Sequence, residues 1–258
     1  MPAAGERMER IGWRLVAEGE PGAPGWNMAL DEALLACWRE GDPPLLRLYG
    51  WRPPALSLGR FQAADDVALP AGATLVRRIS GGAAIHHRQD EVTYAVVAPY
   101  RLFPAPHARS AYRAVHAVIA EALAQLGLPA PDPEEAGPRA ARAHPRGMCF
   151  ATAIGEDLVV GGRKLVGSAQ RRQGGAFLQH GSIPLSPDPA GAGTSLAELL
   201  GAAPERASVV RAICAAMRHT LATHLNRAPP TEAERLRAQE LLASRYGLDA
   251  WNRDGRTP

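Results

Sequence analysis

Between positions 156 and 184 the chain reads as two strands closed by a two-glycine turn with a third strand behind them: Glu156–Val160, Gly161-Gly162, Arg163–Ala169, then Ala176–Pro184. A Gly-Gly pair between apolar, β-branched runs favours a tight hairpin, because both turn residues must take positive φ. The turn fixes a register that sets Lys164 opposite Val159 and on the same face as Val166 and Ser168. Strands joined in this way are antiparallel, so the sheet cannot consist of crossover units alone.

The remaining elements agree. Trp13–Ala17, Leu45–Tyr49, Ala55–Leu58, Thr74–Arg78 and Val92–Val97 read as further strands, linked mostly by loops rather than by regular crossover helices. Asn27 is placed as the N-cap of a helix through Trp38. Ser110–Leu126 is amphipathic, with Tyr112, Val115, Ile119, Leu123 and Leu126 on one face and Gly127 as its stop. Ala207–Leu225 carries a stripe of Val210, Ile213, Met217, Leu221 and Leu225. Ser195-x-x-Glu198 and Thr231-x-x-Glu234 are two capping boxes. The expected class is α+β, a mixed and largely antiparallel sheet packed with helices. It forms one domain over 1–258 whose part beyond about 190 is mainly helical. The Pro-rich stretch 129–146 has no periodicity and is expected to be a flap beside the site.

Composition narrows the function more by exclusion. No apolar run approaches the ~18 residues of a membrane span, and the start of the chain lacks the apolar core of a signal peptide. Three widely spaced cysteines do not form a disulfide framework, which points to a reducing, cytoplasmic location. A net charge of +3 is too diffuse for a nucleic-acid binder. The histidines and cysteines do not fall at metal-site spacings, so no metal is expected.

Two residues carry the chemical expectation. Of the 29 basic residues 28 are arginine, and the single lysine is Lys164. An ammonium is a compact point charge where guanidinium is a planar fork, so a pocket can require the first and refuse the second. In an arginine-rich chain a lone lysine can also be a solvated survivor. Cys149 lies fifteen residues upstream. A free cysteine is commonly a small buried hydrophobe. As a nucleophile it must ionise, and Lys164 is the cation that would favour the thiolate. Cys37 and Cys214 sit in helices and suit packing. Gly81 and Gly82 in the turn RRISGGAAIHH (77–87) let backbone approach a ligand. No phosphate loop follows them.

Six stretches together are similar to the lipoate/biotin protein ligase catalytic family, most closely its cysteine-dependent octanoyltransferases. They are GWNMALDEALL (25–35), RLYGWRPPALSLGRFQ (47–62), RRISGGAAIHH (77–87), EVTYAVV (91–97), CFATAIGEDLVVGGRKLVGSAQRR (149–172) and FLQHGSIPL (177–185). The resemblance implies the class II synthetase-like core of biotin and lipoate ligases. It implies transfer of an octanoyl group from octanoyl-acyl carrier protein to a lysine of a lipoyl domain, such as the glycine-cleavage H protein or a dehydrogenase acyltransferase subunit. By position, Cys149 becomes the acyl-accepting nucleophile, and Lys164 activates it and orients the acyl carbonyl. Arg77, Arg78, Ser80, Gly81, Gly82, Ala83 and His86 would line the acyl channel, with Gly167, Ser168, Gln179, His180 and Gly181 flanking it. Ala83 stands where many members have a third glycine, and His87 where aspartate is common. No cofactor is implied for a transferase. Two activities on the same fold stay open: an ATP- and Mg-dependent lipoate–protein ligase, and an amidotransferase between lipoyl domains. A silent lipoyl-domain binder is the rival from another class.

Overall fold

The structure is a computed structural model that describes residues 11–103, 107–129, 148–151, 157–189 and 193–256. Apart from Pro129, the expected flap lies outside the described residues. The strands segregate into two sheets. The larger contains β1 (Ile11–Ala17), β2 (Leu45–Tyr49), β6 (Glu91–Pro99), β7 (Leu158–Val160), β8 (Arg163–Gln173), β9 (Ala176–Pro184) and β10 (Ala222–Arg227), in the order β10-β1-β2-β6-β9-β8-β7. The smaller contains β3 (Ala55–Leu58), β4 (Thr74–Arg77) and β5 (Ile85–His87), ordered β4-β3-β5. Pairing is parallel for β10/β1, β1/β2 and β3/β4 and antiparallel elsewhere, so the sheets are mixed and largely antiparallel.

Helices cover both faces of the larger sheet, and the period-two alternation of its strands feeds two cores. Leu46, Leu48, Val92, Tyr94 and Val96 pack on α2 (Ala108–Gln125) and α4 (Arg206–Thr220) through Val115, Ile119, Ile213 and Met217. From the opposite face, Leu45, Tyr49, Ala95, Val97 and Leu178 meet α1 (Pro24–Cys37) and α5 (Glu232–Leu241) through Leu30, Leu34, Ala238 and Leu241. β6 is buried along its whole length, as a strand covered on both faces must be. Among the described residues no helix is long and apolar enough to cross a membrane.

Three local expectations are corrected. Asn27 does not cap α1. Pro24 at the first helical position starts it, its fixed φ already helical. Asn27 lies buried in the next turn, where its amide donates to the Gly50 carbonyl at 2.9 Å. The helix expected over 207–225 stops at Thr220, and Ala222–Arg227 becomes β10, which pairs with the otherwise open edge of β1. Ile85–His87, placed within the turn 77–87, is a strand on β3. The Thr231/Glu234 capping box forms with both of its bonds, and Ser195 caps the short α3 (Leu196–Leu200).

Candidate active site

The hairpin turn Gly161-Gly162 takes φ of +57° and +72°, and Val159 pairs with Lys164 as its register requires. The pairing shifts between Leu158 and Val159, a bulge that offsets Lys164 from the later residues of β8. Ser168 lies farther along β8, where its hydroxyl bonds Tyr94 and its carbonyl accepts from Tyr112. Gly167 abuts the ammonium: a Cβ there would lie 2.5 Å from Lys164 Cε, 2.9 Å from Nζ and 3.3 Å from Cys149 Sγ. Only a residue without a side chain leaves room for the lysine stem and the sulfur together. Gly167→Ala is expected to push Lys164 aside, cutting the rate of Cys149 alkylation by a small electrophile about tenfold or more while unfolding stays cooperative. A rate equal to wild type would show that the close fit has no effect.

Cys149 opens a short 3-10 turn, Cys149–Ala151. Met148 bridges to Ala84, and the Cys149 amide donates to the Ala84 carbonyl at 2.6 Å. The cysteine thus hangs from the end of the glycine turn of the small sheet, facing the large one. Lys164 Nζ lies 3.2 Å from Cys149 Sγ and donates to the Cys149 carbonyl at 3.1 Å. Its third partner is Asp157 Oδ2, at 2.7 Å. Lys164 and Asp157 are buried, at 3% and 1% exposure, whereas Cys149 is half-buried and reachable. Burial alone would lower the Lys164 pKa, but the charges on Cys149 and Asp157 more than offset it and the net shift is upward. Burial pushes the thiols of Cys37 and Cys214 up, which disfavours their thiolates.

The turn behind Cys149 is fastened from two directions. Arg78 is buried, and its guanidinium donates to the carbonyls of Ser57, Gly81 and Ala83. Burial draws its pKa down to about 10, opposed by Cys149 and helped by Arg77, so it stays a cation at neutral pH. Ser57 in turn meets His87 Nε2 at 2.8 Å, and His87 Nδ1 meets Glu91 at 2.8 Å under the stacked Trp51 ring. Ser80 meets His180 Nε2 at 2.6 Å, and His180 Nδ1 meets Asp31 at 2.9 Å. The order Ser80–His180–Asp31 is that of a nucleophilic triad, but Ser80 is 1% exposed, so its hydroxyl is shut off from a substrate. These bonds hold the turn in place.

The other expected residues divide. Gly82 has φ +96° and abuts Arg78, and its carbonyl leaves room at Gly59 for nothing larger than hydrogen. Ser168 bonds Tyr94 and His116, Gln179 bonds Gln170, and Gly181 makes space for the Ser168 and Tyr94 hydroxyls, all on the α2 side of the site. His86 points toward Asp188, 3.9 Å away. Arg77 turns from the cysteine altogether and spends its guanidinium on the carbonyls of Gly59, Gln62, Trp251 and Arg253. A cavity of about 590 Å³ lies on that side, between Arg60 and Gly255, and Cys149 does not line it.

Asp157, the buried carboxylate beside Lys164, is the neighbour that the sequence did not single out. Its signal was present: it lies two positions before Val159, the residue that pairs with Lys164, and carries the opposite charge.

This arrangement of sheets and helices is the lipoate ligase fold. The chain matches the solved structure of lipoate-protein ligase A bound with ATP at a TM-score of 0.77, 22% identity, 96% of this chain and 100% of that one. A structure of an archaeal bipartite lipoate protein ligase and its E2 lipoyl domain, from Thermoplasma acidophilum, matches at 0.71 and 21% identity, over 98% and 99%. Residues 23–238 match the model of the lipoyl protein ligase A/B catalytic domain, and the chain belongs to that family. Its curated relatives include the octanoyltransferase LipM of Symbiobacterium thermophilum, 39% identical over 93% of this chain and 97% of the relative. That of Moorella thermoacetica is 44% identical over 67% and 65%. At this similarity the protein is a transferase enzyme.

Proposed function

We propose that the protein transfers an octanoyl group from octanoyl-acyl carrier protein, through a thioester on Cys149, to the lysine of a lipoyl domain. The observation that carries this reading is a half-buried sulfur 3.2 Å from the ammonium of the chain's one lysine. The ammonium favours the thiolate by Coulomb attraction and is placed to donate to the oxygen of a tetrahedral intermediate. Arg78 adds positive charge from the turn side. The related octanoyltransferases support the acyl group; the acceptor reading is supported by the family's lipoyl chemistry.

The steps balance. Cys149 Sγ bonds to the acyl carbon, the donor's C–S bond breaks, and the donor thiolate takes up a proton. The acceptor amine then bonds to that carbon, the C–Sγ bond breaks, and the amine's proton is released. Thioester exchange is close to neutral in free energy and amide formation runs downhill, so ATP is not required.

Incubation with octanoyl-acyl carrier protein, without ATP, is expected to add one octanoyl mass to the protein. Cys149→Ala abolishes the adduct, and Cys37→Ala and Cys214→Ala retain it. Labelling of a lipoyl domain only with free octanoate, ATP and Mg would instead assign the ligase reaction.

A further inference from the structure

The Lys164 ammonium has three acceptors: Cys149 Sγ, the Cys149 carbonyl and the Asp157 carboxylate. Acyl transfer changes only the first. While Cys149 is a thiolate, the buried ammonium has two anions beside it. Once the sulfur is acylated it is neutral, and among the described residues Asp157 is the anion that remains within ion-pair distance.

Among the described residues the surrounding elements supply no replacement. Arg78 approaches from the glycine turn as a cation. Tyr112 on α2 and Tyr94 on β6 face the same charges, and burial raises both phenols, so they are neutral. His116, from α2, is bonded to Ser168. The Phe150 ring lies 5.6 Å from Nζ and offers only its π face. A buried ammonium stripped of its counter-charge loses its proton readily, and with it the ability to stabilise an oxyanion.

We propose that Asp157 is a positioning residue that holds Lys164 charged and aimed at Cys149 while the sulfur carries the acyl group, so that it governs the second transfer more than the first. The inference rests on Cys149 being the acyl carrier. In the first transfer the thiolate itself keeps the ammonium charged. In the second the task falls to Asp157. With asparagine there, the Lys164 of the acyl-enzyme loses its proton as pH rises, and the rate of acyl release to the amine falls with it. With aspartate it remains charged over the same range.

The test uses the full chain, octanoylated on Cys149 by octanoyl-acyl carrier protein and then chased with an unmodified lipoyl domain between about pH 6 and 9. Mass spectrometry follows each half-reaction. Asp157→Asn is expected to slow the chase about tenfold to a hundredfold at the alkaline end and less at the acid end, with a smaller effect on acylation. Asp157→Glu is expected to restore the wild-type pH profile, even if slower throughout. Equal slowing of both half-reactions with an unchanged pH profile would overturn the proposal and leave Cys149 as carrier. If Asp157→Asn fails to fold, a chase by Asp157→Glu that falls with rising pH would overturn it in the same way. Failure of the wild-type protein to form a Cys149 adduct would overturn the reading of the site, and this inference with it.

Discussion

Lys164→Arg is expected to slow acylation of Cys149 by about a hundredfold to a thousandfold, the loss seen when a preorganised oxyanion donor is removed. The substitution keeps the positive charge, so charge alone cannot rescue it. Nζ sits within hydrogen-bond reach of three acceptors, at 2.7, 3.1 and 3.2 Å, a number that matches the three N–H donors of an ammonium. A planar guanidinium presents its donors in one plane and needs more space. Gly167 shows how little space there is, since a single Cβ already collides with the lysine. Rapid-quench acylation followed by mass spectrometry measures the rate, and circular dichroism checks that the fold persists. An arginine variant as fast as wild type would reduce Lys164 to a nonspecific cation.

Asp31→Ala is expected to cost the most stability, about 3–5 kcal/mol, or roughly 6–20 °C in melting temperature. Asp31 pairs with buried Arg47 at 2.6 Å, accepts from Tyr49 at 2.9 Å and meets His180 at 2.9 Å. Its loss strands a buried guanidinium. Glu18, 3.0 Å from the other side of that group, is partly exposed and a weaker counter-ion. Burial pushes the Asp31 carboxyl up, but Arg47 and His180 outweigh it and the net shift is down. A carboxyl held below its unfolded value contributes stability that is complete above about pH 4 and is lost as pH falls through the folded pKa. The gap in melting temperature between wild type and Asp31→Ala should therefore be full near neutrality and close in acid. A gap that stays constant through the acid range would mean that the cost is packing, not charge. Because His180 also holds Ser80, the variant should lose acylation rate as well.

The hairpin was legible because two adjacent glycines leave the backbone few choices, and the register they impose brought Val159 and Lys164 into the expected pairing. The bulge beyond it was not, because it depends on how β8 must bend to meet β9. Adjacent Arg77 and Arg78 look alike in sequence, yet a strand sends neighbours to opposite faces. One clasps a distant segment and the other the glycine turn. Ala222–Arg227 continued a helical stripe by spacing alone; only the unpaired edge of β1, formed two hundred residues earlier, recruits it as a strand. Cys149 and Lys164 announced themselves by rarity. Asp157, one acid among many, acquires meaning only from what lies 2.7 Å away.

Arg77 links the reactive turn to the carbonyls of Trp251 and Arg253, more than 170 positions downstream, while Trp251 returns its indole N–H to the Arg77 carbonyl. On the ribosome, then, every residue that touches the sulfur has been made well before the clasp that braces its support can close. A chain halted short of Trp251 would already hold the sulfur, Lys164, Arg78 and His180 but would lack this far clasp, so Arg77 waits for partners translated more than 170 positions after it.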